Sequence, residues 1–235
     1  MGKHGKYRAL VGLALALMAG PAAAAGCRLA LALGMDVSRS VDARDYEIER
    51  QGLIAALEAP QIRRAFLEGP DRVMFAVYEW SGQGDQRVIV PWILVRGADD
   101  LDRLVAVVAG HERAEKRLPT ALGEALSFGR ALLDQAPGCA ARTLDIAGDG
   151  QNNVGLAPEQ IYERLDFSGI TVNGLPIGDH ERDISAYYQA QVIHGPGAFI
   201  QPAPVQKDFP QAIRRKLERE RAGRRLGARP TAAPG

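Results

Sequence analysis

The sequence predicts an α/β domain: an open, mostly parallel sheet with helices on both faces and one antiparallel strand at an edge. Three observations lead there. Short β-rich runs alternate with stretches of helical periodicity along the chain. The first such run, CRLALALGMD at 27–36, is apolar at nearly every position, as a strand covered on both faces must be. One pair of β-rich runs, RVMFAVYEW and RVIVPWILV, is joined by the short polar segment SGQGDQ, which reads as a hairpin.

The elements follow in order. Lys3, Lys6 and Arg8 form a positive start, an apolar stretch runs from Ala9 to Ala19, and Pro21 then Ala23-Ala24-Ala25 complete the three-part pattern of a secretory signal, with cleavage expected after Ala25. A membrane anchor is the weaker reading, because a bilayer needs about 20 consecutive apolar residues. A lipoprotein at Cys27 ranks lower too, since Ala24 stands where the usual lipobox has Leu. The domain is expected over 26–225, with a loose tail at 226–235.

Asp42 can cap a helix over Ala43 to Glu58, whose Tyr46, Leu53, Ile54 and Leu57 fit a 3.6-residue period. Strands follow at Arg72 to Trp80 and Arg87 to Val95; Pro91 places the second at a sheet edge. Helices are predicted at Asp99 to Gly110 and Thr120 to Gln135, then a strand at Arg142 to Ala147 that ends in Gly148-Asp149-Gly150. A helix at Pro158 to Asp166, a strand at Gly169 to Ile177, a helix at Asp183 to Val192 and a short strand at Ala198 to Gln201 come next. Lys207 to Arg225 reads as a terminal helix docked through Ile213 and Leu217, its basic residues forming a solvated face.

Composition narrows the function classes. With 46% hydrophobic and 24% charged residues the chain packs a core. Its 29 Lys+Arg against 28 Asp+Glu, a formal charge of +1, give no global attraction for nucleic acid. Two cysteines exclude a disulfide-dense scaffold and a four-cysteine zinc site, while allowing one bridge. His111, His180 and His194 lie in different segments and form no ligand set at recognisable spacing.

Three separated segments place side-chain oxygens at one edge of the predicted sheet. Asp36-Val37-Ser38-Arg39-Ser40 ends the first strand, Thr120 opens a helix, and Asp149 follows the strand at 142–147. In open parallel sheets the carboxyl ends of the strands form the ligand crevice. Strand neighbours lie about 4.8 Å apart, a scale suited to one small hard cation with oxygen ligands at about 2.1 Å. Two carboxylates and three hydroxyls favour Mg2+, with Mn2+ or Ca2+ as alternatives, over zinc or copper. The same residue types also make turns and helix caps, so the residues alone leave both readings standing.

Asp36-x-Ser38-x-Ser40, then Thr120, then Asp149-Gly150 resembles the metal-ion-dependent adhesion site of von Willebrand factor type A domains. The stretches CRLALALGMDVSRSVD, VYEWSGQGDQRVIVPW, PTALGEALSFGRALL, DIAGDGQNNVG, GITVNGLPIG, YYQAQVIHGPGAFI and IRRKLERE resemble the secreted bacterial domain of unknown function family 1194. The resemblance implies a Rossmann-like sheet of order 3-2-1-4-5-6, with Ser38, Ser40 and Thr120 as hydroxyl ligands and Asp36 and Asp149 as carboxylates. One departure is Ala147, where the family usually has Ser. The implied strand order puts Cys27 and Cys139 at the same end of neighbouring strands, so a bridge between them is expected.

Asn152, Asn153 and Trp80 are candidate rim residues. The favoured function is an exported, metal-dependent, adhesion-type module that engages an Asp or Glu of an envelope or extracellular protein. The alternative is a metal-assisted hydrolase with Ser38 or Ser40 as nucleophile, although no G-x-S-x-G elbow or well-placed His is present. A scaffold with a purely structural site is the third reading.

Overall fold

The computed structural model describes residues 26–69, 72–113, 117–136, 138–178, 181 and 183–222. The predicted signal segment, the tail and His180 lie outside these residues. Five strands form one sheet in the order β3-β2-β1-β4-β5: β1 (Cys27–Asp36), β2 (Arg72–Trp80), β3 (Gln86–Val95), β4 (Arg142–Gly148) and β5 (Ile170–Pro176). β1 runs parallel to both β2 and β4, β4 parallel to β5, and β3 closes one edge antiparallel to β2. Pro91 lies on that edge strand, where its missing N–H costs no interior ladder bond.

The alternation of β1 builds two different faces. Leu31, Leu33 and Met35 face α1 (Ala43–Glu58), α2 (Pro60–Leu67), α3 (Ala98–Gly110) and α7 (Phe209–Ala222), packing with Leu53, Leu57, Ile62, Leu104, Ile213 and Leu217. Ala30 and Ala32 face the other way, towards Leu122, Leu126 and Ile161 of α4 (Leu122–Asp134) and α5 (Pro158–Arg164). Small residues on this second face leave room for Tyr78, whose hydroxyl donates to Ala125 O at 2.7 Å. Gly34 is required there, because a Cβ would stand 2.5 Å from the Tyr78 ring.

Several elements depart from the sequence expectation. α2 has no forecast counterpart; it is only eight residues long, starts at Pro60 and buries Ile62, Ala65 and Phe66. The helix expected at 183–192 is a single α-turn, α6 (Ile184–Tyr187), running into a π-helical turn at Tyr188–Val192. The strand expected at 198–201 is not continuous. Its place beside β5 is taken by two isolated parallel bridges, Gly174 to Ile200 and Ile177 to Ala203. Pro202 and Pro204 lack the N–H groups a longer ladder needs, so the sixth position of the sheet is only sketched.

Lys216 also corrects an expectation. It is fully buried in α7 rather than part of a solvated face, and its ammonium pairs with Asp145 of β4 and with Glu220 (3.1 Å). Asn173 of β5 joins this cluster, donating to Glu220 at 2.6 Å. Burial pushes the Asp145 carboxyl up to about 7, against the pull of Lys216. The cluster pins α7 to the sheet midway along β4 and β5. At the sheet's opposite end from the oxygen cluster described below, Cys27 and Cys139 form a disulfide that spans 112 residues of sequence.

Candidate metal centre

Parallel pairing of β1 with β4 sets Met35 beside Ala147, so Asp36 and the Gly148-Asp149 turn leave the sheet side by side. Beyond Asp36 the chain turns sharply. Val37 N donates to Trp80 O (2.8 Å), Arg39 N donates to Leu118 O (2.9 Å), and Ser38 N donates to Asp36 Oδ1 (2.7 Å). Arg113 braces the same turn from outside, its guanidinium donating to Val37 O (3.1 Å) and Ser38 O (3.3 Å).

Four of the five candidate ligands form a continuous chain of oxygen contacts. Thr120 Oγ1 donates to Ser38 Oγ (3.3 Å), Ser38 Oγ lies 3.3 Å from Ser40 Oγ, and Ser40 Oγ donates to Asp149 Oδ1 (2.7 Å). Asp36 adjoins the chain through Ser38 and through the charge of Asp149. Asp36, Ser38, Thr120 and Asp149 are buried, while Ser40 is half-buried and Arg39 beside it is exposed, which marks the open side.

Thr120 lies just ahead of its helix instead of opening it, and it does not cap it. α4 starts at Leu122, and the threonine hydroxyl turns instead to Ser38. The two asparagines supply the missing acceptors: Asn153 Oδ1 takes the Thr120 N–H (2.8 Å) and Asn152 Oδ1 takes the Gly123 N–H (3.1 Å). Asn153 N in turn donates to Thr120 O at 2.9 Å. These two residues therefore hold the threonine loop to the Asp149 loop from behind. Trp80 departs from the rim reading. Alternation along β2 sends its ring into the interior with Tyr78, where it is fully buried.

Electrostatics single out Asp36. Burial, and then the neighbouring Asp149 carboxylate, push its pKa up to about 8, and the Ser38 hydrogen bonds and Arg113 offset this only in part. Its Oδ2 has no hydrogen-bond partner among the described residues. Glu49 of α1 is a third buried carboxyl in the same field. It accepts from Gln206 Nε2 (2.8 Å) and is held well above the usual range by burial, with Asp36 and Asp149 adding to the rise. Like charges brought together out of water are what a dication would relieve. Hard oxygen donors and an unpartnered carboxylate oxygen fit such an ion. Among the described residues no group of three or more His, Cys, Asp or Glu side chains is positioned to share a metal, so hydroxyls must complete any shell here.

Two contributors escaped the sequence reading. Arg113 lies in an irregular segment after α3, and Tyr188, whose buried hydroxyl stands near Asp36 beside Gly148, sits in a predicted helix where an aromatic at helical spacing reads as core. Neither carries a local signal pointing to the edge of the sheet.

No curated protein is matched by this sequence. Among solved structures, proximal thread matrix protein 1 from the mussel byssus, with a zinc-occupied MIDAS motif, superposes with a TM-score of 0.63 at 14% identity, covering 84% of this chain and 46% of that one. A von Willebrand factor type A structure from Catenulispora acidiphila gives 0.57 at 16% identity, covering 82% and 42%. The PilB minor pilin from Streptococcus sanguinis gives 0.62 at 12% identity, covering 87% and 64%. The chain thus spans just under half the length of the mussel protein, and at these identities the likeness is one of fold. Residues 26–225 match the family model described as Protein of unknown function (DUF1194), and on that match the chain, von Willebrand factor A-like in fold, belongs to this family.

Proposed function

We propose that this protein is an exported binding module that engages a carboxylate of a partner protein through one divalent cation, Mg2+ by preference. Asp36, Ser38, Ser40, Thr120 and Asp149 would hold the ion. The observation that carries this reading is the oxygen chain from Thr120 through Ser38 and Ser40 to Asp149, assembled from three segments far apart in sequence.

The donor set explains the choice of ligand. Two carboxylates offset the charge of one dication, and three neutral hydroxyls add no further negative charge. A bound dication in such a shell supplies Lewis acidity, which favours an anionic oxygen as the remaining ligand. An Asp or Glu of a partner is the protein-borne group of that kind. The protein's own share is to keep Ser38 and Thr120 turned inward and to leave Ser40 at the opening. The partners of the Ser38 and Ser40 hydroxyls are other hydroxyls and Asp149, a ligand-sharing arrangement.

The three-part N-terminal pattern and the Cys27–Cys139 bridge both suit an oxidising compartment. The solved structures of similar fold include a pilin and a pilus adhesin, and a mussel byssus protein whose MIDAS motif holds zinc. Titration calorimetry of chelator-stripped protein with Mg2+, Mn2+ and Ca2+ tests the metal. Saturable one-site binding with Mg2+ or Mn2+, lost in Asp149→Ala, is expected; absence of binding by all three ions overturns the reading. A pull-down from envelope extract with and without chelator then identifies the partner.

A further inference from the structure

Midway along the sheet, away from the oxygen cluster, an amine, two carboxyls and a side-chain amide are buried in mutual contact. Lys216 of α7 and Asp145 of β4 are fully buried, and Asn173 of β5 and Glu220 of α7 are buried beside them. Lys216 Nζ touches Asp145 Oδ1 and lies 3.1 Å from Glu220 Oε1. Asn173 Nδ2 donates to Asp145 Oδ1 (3.3 Å) and to Glu220 Oε1 (2.6 Å). The other carboxyl oxygen, Asp145 Oδ2, has no hydrogen-bond partner among the described residues. The Phe199 ring covers the amine, its centroid 5.1 Å from Nζ.

An ion pair in this position is costly, because desolvating both charges offsets most of their attraction. Burial also holds the Asp145 carboxyl up at about 7, so a substantial fraction of it carries a proton at neutral pH. A protonated carboxyl and a primary amine held together out of water are the reactants of an amide. Two things oppose that condensation in solution: the partners must meet, and water reverses the product. Packing has already brought these partners together, and burial keeps water from the bond.

We propose that Lys216 and Asp145 condense to an intramolecular amide that joins α7 to β4, with Glu220 as the proton acceptor. Glu220 takes one proton from the Lys216 ammonium, and the freed nitrogen lone pair attacks Asp145 Cγ. The π pair of the carbonyl moves onto Oδ1, where Asn173 Nδ2 donates as negative charge gathers. That pair then returns, the bond from Cγ to the hydroxyl oxygen breaks, and the hydroxyl leaves as water with a second amine proton. The products are a neutral amide N–H, one water and a protonated Glu220. No oxidant or other reagent is consumed. A surface cavity of about 360 Å3, lined in part by Asn173, Phe199 and Glu220, adjoins the cluster and gives the water an exit. The ion pair is the state before closure, and substituting Lys216 leaves Asp145 without its partner whichever state is present. None of the proposed cation ligands takes part.

Mass spectrometry of the reduced and denatured mature protein tests the bond. Trypsin cleaves after lysine and arginine but spares an acylated lysine, so the linked chain yields peptide 143–164 branched to peptide 216–219. That branched species is expected, with an intact mass one water below the value for the unlinked chain. Prior reduction removes the Cys27–Cys139 bridge as a source of joined peptides. Glu220→Gln should keep Lys216 free and the mass undiminished; a Glu220→Gln protein that still links removes Glu220 from the proton step. Cleavage after Lys216 at full intact mass in the wild type overturns the amide. A deficit of one water confined to peptide 143–164, with Lys216 free, marks a cyclic imide at Asp145 and overturns it too. The wild-type peptides alone decide between amide and ion pair, whether or not the variant folds.

Discussion

Ser40 Oγ donates to Asp149 Oδ1 at 2.7 Å across 109 residues of sequence, tying the turn after β1 to the turn after β4. That contact is available only because β1 and β4 are parallel neighbours whose carboxyl ends coincide. It closes the oxygen chain that begins at Thr120, and the proposed cation site depends on it.

Adding Mg2+ or Mn2+ to chelated protein should raise its melting temperature, because an ion that binds only the folded chain stabilises it by about 2.7 kcal/mol at one hundred times its dissociation constant. Asp36→Ala and Asp149→Ala should each abolish the increment in differential scanning calorimetry. Ser127→Ala, on α4 and outside the oxygen chain, should retain it. An unchanged increment in Asp149→Ala would remove that carboxylate from the site.

The same increment should grow with pH. The Asp36 carboxyl is raised to about 8 in the metal-free fold, from an ordinary 3.8. A raised acid stabilises the fold below its unfolded value and loses that contribution as pH climbs through the folded one. Metal-free stability from this group therefore declines between about pH 4 and pH 8, the window in which the folded state holds the extra proton. A cation competes with that proton, so Mg2+ affinity should rise by roughly fiftyfold from pH 6 to pH 8 if Asp36 alone limits it. Titration calorimetry at the two pH values measures the ratio, and a flat profile would exclude Asp36 as the controlling group.

Lys216→Met should destabilise the protein by about 3–5 kcal/mol, since it strips Asp145 of its cation within a fully buried cluster. The double variant Asp145→Leu with Lys216→Met should recover part of that loss, because neither charge is then left alone. Urea denaturation of the three proteins provides the comparison. Equal destabilisation of the single and double variants would mean that packing, and not charge, holds α7 to the sheet.

Reducing the Cys27–Cys139 bridge should cost about 4–5 kcal/mol in the loop-entropy model, given the long segment it closes. Chemical unfolding with and without reductant measures this. Peptide mapping without reductant should recover the two cysteines in one linked pair. A lipid-modified Cys27 in protein isolated from cells would contradict the pairing.

Much of the architecture could be read directly from residue patterns. The nearly unbroken apolar run at 27–36 announced a strand covered on both sides, and the SGQGDQ connection with Pro91 beyond it announced an antiparallel edge. Both follow from local rules: pleat periodicity, turn chemistry and the missing proline N–H. The resemblance to the type A adhesion motif then named the five oxygen-bearing side chains, which the residues alone had left divided between metal ligands and helix caps. Thr120 shows why that division was real. A threonine near a helix start ordinarily caps it; here Asn152, arriving from another loop, accepts from Gly123 N, Asn153 accepts from Thr120 N, and the Thr120 hydroxyl turns to Ser38.

The chain by itself therefore determined the order and kind of most elements and the chemical type of the site: hard oxygen donors and one available bridge. Tertiary packing decided the rest. It buried Lys216 against Asp145, drew Trp80 inside, bent the segment after α6 into a π-turn and brought the Tyr188 hydroxyl behind Asp36. The reason is physical. Periodicity reports which side of an element is apolar, but the partner of a polar atom on that side is set by whichever distant segment packs there, and no local pattern encodes that distance.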